Sequence, residues 1–343
     1  MSNALSQVSA IREWASFDRE TFQTQILPSN QPAVLRGVAK HWPVVRAAAT
    51  APAAFADYIK GFDNGQRVNV TIGPPEMGGR LFYRPDMREF NFDEEKLPVS
   101  QALDRLLAQL DAPQRSTIFV QSATVKDFIP GFAADNVLDI VPAGVPPRVW
   151  IGSSVIVAAH FDLYYNIAVV GAGRRRFTLF PPDQLPNLYV GPMDFTPAGA
   201  PISMVSFDEP DFERYPRFAE ALAHAQSAEL GPGDAIFIPY AWWHHVRSLE
   251  PLNMLINYWW NDAKLPLSPT HALLHAVLAL RDLPEDQRAV WRSVLDYYVF
   301  QTAGVPLDHL PAEQRGALGP LNPEKTRRLA QVIARSLAAA AQS

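Results

Sequence analysis

The chain of 343 residues contains no cysteine. That absence excludes a disulfide framework, thiolate-held zinc, iron–sulfur clusters and a cysteine nucleophile. Charge is also sparse. Asp, Glu, Lys and Arg make up 19% of the residues, and the formal net charge is -5. No excess of positive charge points to nucleic acid or to an anionic membrane, so neither is expected as a partner. No apolar run approaches the ~20 residues of a transmembrane helix. The opening MSNALSQVSAIREW lacks a basic stretch followed by a long apolar one, so no signal peptide is expected. These absences lead to the expectation of a soluble, cytoplasmic protein.

Apolar residues are plentiful at 48%, enough for a sizeable core. Thirty-one prolines scatter between short apolar runs, the punctuation of a β-rich fold. Helical spacing predicts helices over 17–27, with Asp18 as cap, over 51–61, and over 99–110, with Ser100 as cap. Strands are predicted at 67–73, 116–121, 148–157, 166–170, 175–180, 243–249 and 253–260. Residues 73–91 read as a covering loop. Gly171-Ala172-Gly173 reads as a hairpin turn, because it lacks the third glycine and the following helix of a dinucleotide fingerprint. Residues 183–227 form an insertion with one helix near 211–225. From about 262 the pattern becomes helical to the end. The expected fold is mainly β with flanking helices, a double-sheet jelly roll or related barrel. The expected units are 1–261 and a C-terminal helical region, 262–343.

The chemistry concentrates in VAAHFDLYYNIAVVGAGRRRFTLFPP, residues 157–182. His160 and Asp162 stand two apart and project from one side of an extended chain. An imidazole and a carboxylate so placed are two-thirds of a facial metal triad of two histidines and one carboxylate. A further histidine about 80 residues on, in PYAWWHHV (239–246), supplies the third ligand. His244 and His245 face opposite ways on a strand, and spacing alone does not choose between them. The same alternation sets Arg175 opposite to Arg174 and Arg176, and an inward arginine in an apolar barrel requires an anion. His271 and His275 lie four apart on a helix without the glutamate of a zinc-protease motif, and read as a packing face. Ile167, Val169 and Phe177 are expected to shape the cavity.

His160-x-Asp162, Asn166, FPPDQLPNLY (180–189), PDFERYP (210–216), LGPGDAIFIPYAWWHHV (230–246) and INYWW (256–260) occur in this order. With QPAVLRGVAKHWP (31–43), they resemble the JmjC-type, cupin-like Fe(II)/2-oxoglutarate oxygenases. They also resemble the branch of the factor-inhibiting-HIF asparaginyl hydroxylase, and the resemblance covers roughly residues 10–260. It implies a double-stranded β-helix, Fe(II) as metal, 2-oxoglutarate as co-substrate and hydroxylation of an unknown protein or small-molecule substrate. It also implies a homodimer formed through the C-terminal helices. The metal ligands of the family fall on His160, Asp162 and His244. Asn166 and Asn257 fall near the keto end of the co-substrate, and Trp259 on an aromatic wall. Where that branch holds the far carboxylate with lysine, threonine and tyrosine, this sequence has Arg175, Val157 and Phe119. Arg175, whose guanidinium can make two parallel hydrogen bonds, is expected to replace that clamp. Tyr164 stands where the branch has a glutamine facing substrate, which implies different substrate recognition. The second reading is a non-catalytic cupin-like protein that binds a metal or a carboxylate.

Overall fold

Short β-branched and apolar runs, broken by Gly and Pro, give strands that bury one face against each other and the other against helices. The computed structural model describes residues 8–342 apart from Ala198 and Pro266. The chain divides into two units, Met1–Asp262 and Ala263–Ser343. In chain order the strands of the first unit begin with β1 (Ser9–Ala10), β2 (Arg12–Trp14), β3 (Ala33–Leu35), β4 (Arg67–Gly73), β5 (Arg80–Leu81), β6 (Asp93–Pro98), β7 (Thr117–Thr124) and β8 (Pro147–Gly152). They continue with β9 (Ile156–His160), β10 (Tyr165–Ala172), β11 (Arg175–Phe180), β12 (Gln226–Leu230), β13 (Ala235–Ile238), β14 (Trp243–Ser248) and β15 (Asn253–Trp260).

Two sheets result. One has the order β1-β12-β11-β14-β9-β5, the other β2-β3-β13-β10-β15-β8-β7-β4-β6. Their facing surfaces enclose an apolar core that includes Phe177, Leu179, Ile236, Ile238, Val246 and Leu255. The far face of the nine-stranded sheet packs on helices through Ile167, Val169, Phe237 and Ile256, against Phe22, Phe55, Leu103 and Leu106. This is the jelly-roll sandwich with flanking helices.

Several expectations need correction. Residues 148–157 are not one strand. The chain leaves β8 at Gly152, turns through Ser153–Val155 and enters β9 in the other sheet. Gly152 permits this corner, since a Cβ there would lie 2.6 Å from the Ile118 carbonyl oxygen and 2.7 Å from the Phe119 ring. Ser153 fastens it, with its Oγ accepting from Ile118 N at 3.1 Å. Likewise Gly171–Gly173 is not a hairpin turn, because β10 and β11 belong to different sheets. Gly173 has φ +70°, and a Cβ there would run into the Asn253 side chain. The cap of the helix Val99–Ala108 is not Ser100. The Ser100 N–H donates to Asp63 Oδ2 at 2.8 Å, so the cap comes from elsewhere in the chain. Asp18 does cap its helix, accepting from Thr21 N at 2.7 Å.

Strand β5 interrupts the loop expected at 73–91 and pairs with β9. The expected helix near 211–225 is Phe218–Ala223, and β12 follows it directly. Strand β6 (DEEKLP) was also unforeseen. It is a charged edge strand, and charge masks the strand pattern while protecting the open edge. A helix at Pro43–Thr50 precedes the expected one, which spans Pro52–Lys60. In the second unit the helices Pro269–Leu280, Glu285–Tyr298 and Pro323–Ala340 have no fully buried side chain among the described residues. No described helix is long and apolar enough to cross a membrane.

Candidate metal centre and co-substrate cavity

The site lies between the two sheets. His160 ends β9, Asp162 follows two residues on in the link to β10, and His244 lies directly opposite His160 in the β9–β14 pair. One potential ligand atom from each lies within 4.8 Å of the others. His244 Nε2 is 3.6 Å from Asp162 Oδ2, and the two imidazoles are 4.2 Å apart. Each histidine places Nδ1 against the carbonyl two residues before it, His160 on Ala158 O at 3.0 Å and His244 on Trp242 O at 3.1 Å. A carbonyl only accepts, so each Nδ1 carries the proton and each Nε2 lone pair is left for the centre. Burial pushes the His244 pKa down to about 4, and the neighbouring His160 adds to this against the opposing pull of Asp162. The ring is therefore neutral at physiological pH, the state that a metal ligand needs.

His245, the other candidate, faces away from the centre and stacks on Phe207 with ring centroids 4.7 Å apart. Strand alternation separates the two histidines, as expected.

Beyond the triad extends a recess with about 710 Å³ of space free of atoms, its mouth included. The six-stranded sheet contributes Val157, Phe177, Val246 and Arg175 to its walls; the other sheet contributes Phe119, Trp150, Asn166, Leu255, Asn257 and Trp259. Ile167 and Val169 do not shape it. They point to the opposite face, toward the helices, and Ala168 takes the inward place. The reason is the two-residue period: once Asn166 faces inward, 167 and 169 cannot.

Arg175 is only 2% exposed, and its Nε and Nη2 have no hydrogen-bond partner. Burial alone pushes its pKa down to about 9. Its neighbours on the strand behave as alternation requires. Arg174 pairs with Glu250 at 2.8 Å, and Arg176 pairs with Glu229. Arg175 aligns with Ser248 while His244 aligns with Leu179, so the Arg175 backbone sits four residues along the sheet from His244. That is roughly 13 Å at the usual rise of a strand.

Two further groups in the recess are orphaned, Asn166 Oδ1 and Trp259 Nε1. Asn166 and Trp259 are paired across β10 and β15, as are Ala168 and Asn257, so Asn166, Asn257 and Trp259 share one face. Tyr164 is 42% exposed and lies parallel to Trp259, centroids 6.1 Å apart, with Arg148 over the same indole at 5.5 Å. The insertion and the 73–91 loop close the flank. Ile202 bridges to His160, Phe195 stacks on Phe90 at 4.4 Å, and Tyr83 Oη donates to Phe195 O at 2.6 Å.

The sequence had not singled out Trp150. Its Nε1 donates to Asn257 Oδ1 at 2.8 Å. Only strand register could have brought the two together, because they lie 107 residues apart. Leu81 and Ile202 also line the recess without having been foreseen, for they come from segments read as loop and insertion.

A two-sheet jelly roll with an inward His-x-Asp…His cluster defines a cupin-like protein. A family model described as a cupin-like domain matches residues 19–264. The chain belongs to this JmjC-type cupin-like family. It is similar to the lysine-specific demethylase JMJ31 of Arabidopsis thaliana, 34% identical over 36% of this chain and 22% of that protein. It is 36% identical to human HSPB1-associated protein 1 over 34% of this chain and 24% of the relative. The Jumonji C domain-containing protein 5 of Drosophila melanogaster is 27% identical over 70% of this chain and 57% of its own length. The matched stretches thus span only about a quarter to a little over half of these relatives.

Proposed function

We propose that the protein is an Fe(II)- and 2-oxoglutarate-dependent oxygenase that hydroxylates a protein side chain or a small molecule. The observation that carries this reading is Arg175, a buried guanidinium with unpartnered Nε and Nη2 in the same recess as the His160, Asp162 and His244 cluster. A buried charge without a counter-charge is costly, and a carboxylate meets both free N–H positions with parallel bonds. Phe119 and Val157 add apolar walls and no hydroxyl, so the arginine acts alone. The donor set also fits the metal. Two imidazoles, each with Nδ1 on a backbone carbonyl, and one carboxylate are the donor set of the facial arrangement used for non-haem Fe(II).

When bound, iron supplies the activation of O2, through which one oxygen atom enters the substrate C–H bond as a hydroxyl, the other enters succinate, and CO2 leaves. The chain positions the reactants. Arg175 holds the far carboxylate. Asn166 and Asn257 orient the keto-acid end. Phe177, Val246 and Leu255 keep water from the space between. Tyr164 and Trp259 form a shelf at the mouth for the incoming substrate. The name of one relative, a lysine-specific demethylase, favours a protein side chain over a small molecule.

Under anaerobic conditions, Fe(II) and 2-oxoglutarate added together should give a visible charge-transfer band, and oxygen should then release succinate. His160→Ala combined with Asp162→Ala should abolish stoichiometric iron binding, whereas His245→Ala should retain it. A wild-type protein that binds iron but neither forms the band nor releases succinate would overturn the enzyme reading.

The unit from Ala263 is proposed to hold two copies together. Leu273, Leu278, Val290, Trp291 and Ile333 are exposed on its helices, an apolar surface that association would cover. Sedimentation should find a dimer that Leu278→Glu with Trp291→Glu turns into monomers. A monomeric wild type removes the idea.

A further inference from the structure

One hydrogen bond in the recess belongs to neither the metal cluster nor the arginine. Trp150 Nε1–H donates to Asn257 Oδ1 at 2.8 Å. An indole N–H can only donate, so it decides which end of the Asn257 amide it meets. The oxygen is engaged, and the Nδ2 amino group is the end left for the recess. Trp150 is itself held in place. Its ring stacks on Phe119, centroids 5.9 Å apart, and meets Trp259 edge-on at 6.1 Å.

With that bond in place, and apart from the cluster carboxylate of Asp162 and Gln121, whose Nε2 is spent on Thr71 Oγ1 at 2.6 Å, the free polar groups of the recess are biased to one kind. Arg175 offers Nε–H and Nη2–H, and Trp259 offers Nε1–H. Asn257 adds Nδ2–H. All of these donate. The amide of Asn166, with Oδ1 unpartnered, is the group that can present either atom. A set of donors accepts carboxylate and keto oxygens. It places N–H against N–H when the ligand carries an ammonium at the same carbon, and a buried donor left unmatched is the strongest basis for rejection.

We infer that Trp150 is a positioning residue that fixes Asn257 as a donor, and so makes the recess select a 2-oxo acid over the 2-amino acid of the same carbon skeleton. The selectivity rests on the co-substrate reading above; the locked amide does not. Without the indole N–H, Asn257 can turn and offer Oδ1 to an ammonium.

The test compares 2-oxoglutarate and L-glutamate by calorimetry on the Mn(II)-loaded protein, alongside side-chain amide NMR of the unliganded protein. Trp150→Phe keeps the ring contacts and removes the N–H. It should weaken 2-oxoglutarate about tenfold, the size of one hydrogen bond, and narrow the preference over L-glutamate by at least that factor. Asn257→Asp keeps an acceptor for Trp150 but turns a second oxygen to the recess, and should shift the preference further the same way. An unchanged preference in both variants overturns the selectivity. In the NMR arm, the Asn257 amide signals should move in Trp150→Phe, and the Trp150 indole signal should move in Asn257→Ala. Unmoved signals overturn the positioning role. If the wild type binds neither acid, the co-substrate reading and the selectivity fall together, while the NMR arm still decides the lock.

Discussion

Arg175 shows how much a single residue can reveal and how much it conceals. Alternation along RRR placed it inward, and the structure agrees. Its lack of partners could not be read from the sequence, because that depends on what every neighbouring strand contributes. Although its pKa is depressed to about 9, the side chain is charged at neutral pH. The unliganded fold therefore carries an uncompensated buried cation. Arg175→Met should stabilise the ligand-free protein by about 1–4 kcal/mol, the range seen when apolar residues replace buried ionic groups. The same variant should lose 2-oxoglutarate binding. Thermal unfolding with and without the dicarboxylate checks both halves, and a destabilised variant that still binds would contradict the role. The histidines were legible to a similar degree. Sequence spacing found the cluster but could not choose between 244 and 245. The opposed register of His160 and His244 makes that choice.

At the scale of elements, most strands were legible because β-branched and aromatic runs alternate cleanly. The failures lie where the chain changes sheet. Residues 148–157 (RVWIGSSVIV) read as one β-branched stretch, yet a corner at Gly152–Val155 divides them, and β10 and β11 are joined by a turn that only resembles a hairpin. A sequence displays periodicity but not which sheet a strand joins, and glycine marks the corner without naming its destination. Gly173 matters here because it delivers Arg175 to the opposite sheet. Gly173→Ala must adopt a left-handed backbone and crowd Asn253. It should cost about 1–3 kcal/mol and weaken 2-oxoglutarate binding through a displaced arginine. Chemical denaturation measures the first effect and calorimetry the second. An alanine variant with wild-type stability would show that the turn relaxes freely. Edge strand β6 and the cap from Asp63 escaped the sequence for related reasons: charge hides a strand, and a cap borrowed from distant sequence leaves no local signature.

For the molecule as a whole, the buried histidines make stability depend on pH. His244 titrates near 4 in the fold against an ordinary 6.5, and burial shifts His245 in the same direction. The unfolded chain takes up these protons first. Their contribution is therefore fully present above pH 6.5 and is lost as pH falls toward about 4. Urea unfolding of the metal-free protein across that window should show a steady decline, and a flat profile would contradict the burial of these rings. The two-layer architecture also carries a consequence for what fills it. The metal cluster and Arg175 hang mainly from one sheet, while Asn166, Asn257 and Trp259 hang from the other. A small molecule that touches both is then a cross-link, tying together chain segments that no covalent bond joins. Like any cross-link it restricts breathing far from its own atoms. Amide exchange should slow in both sheets at once when the co-substrate binds, so occupancy of the recess would be felt as stiffness of the entire sandwich.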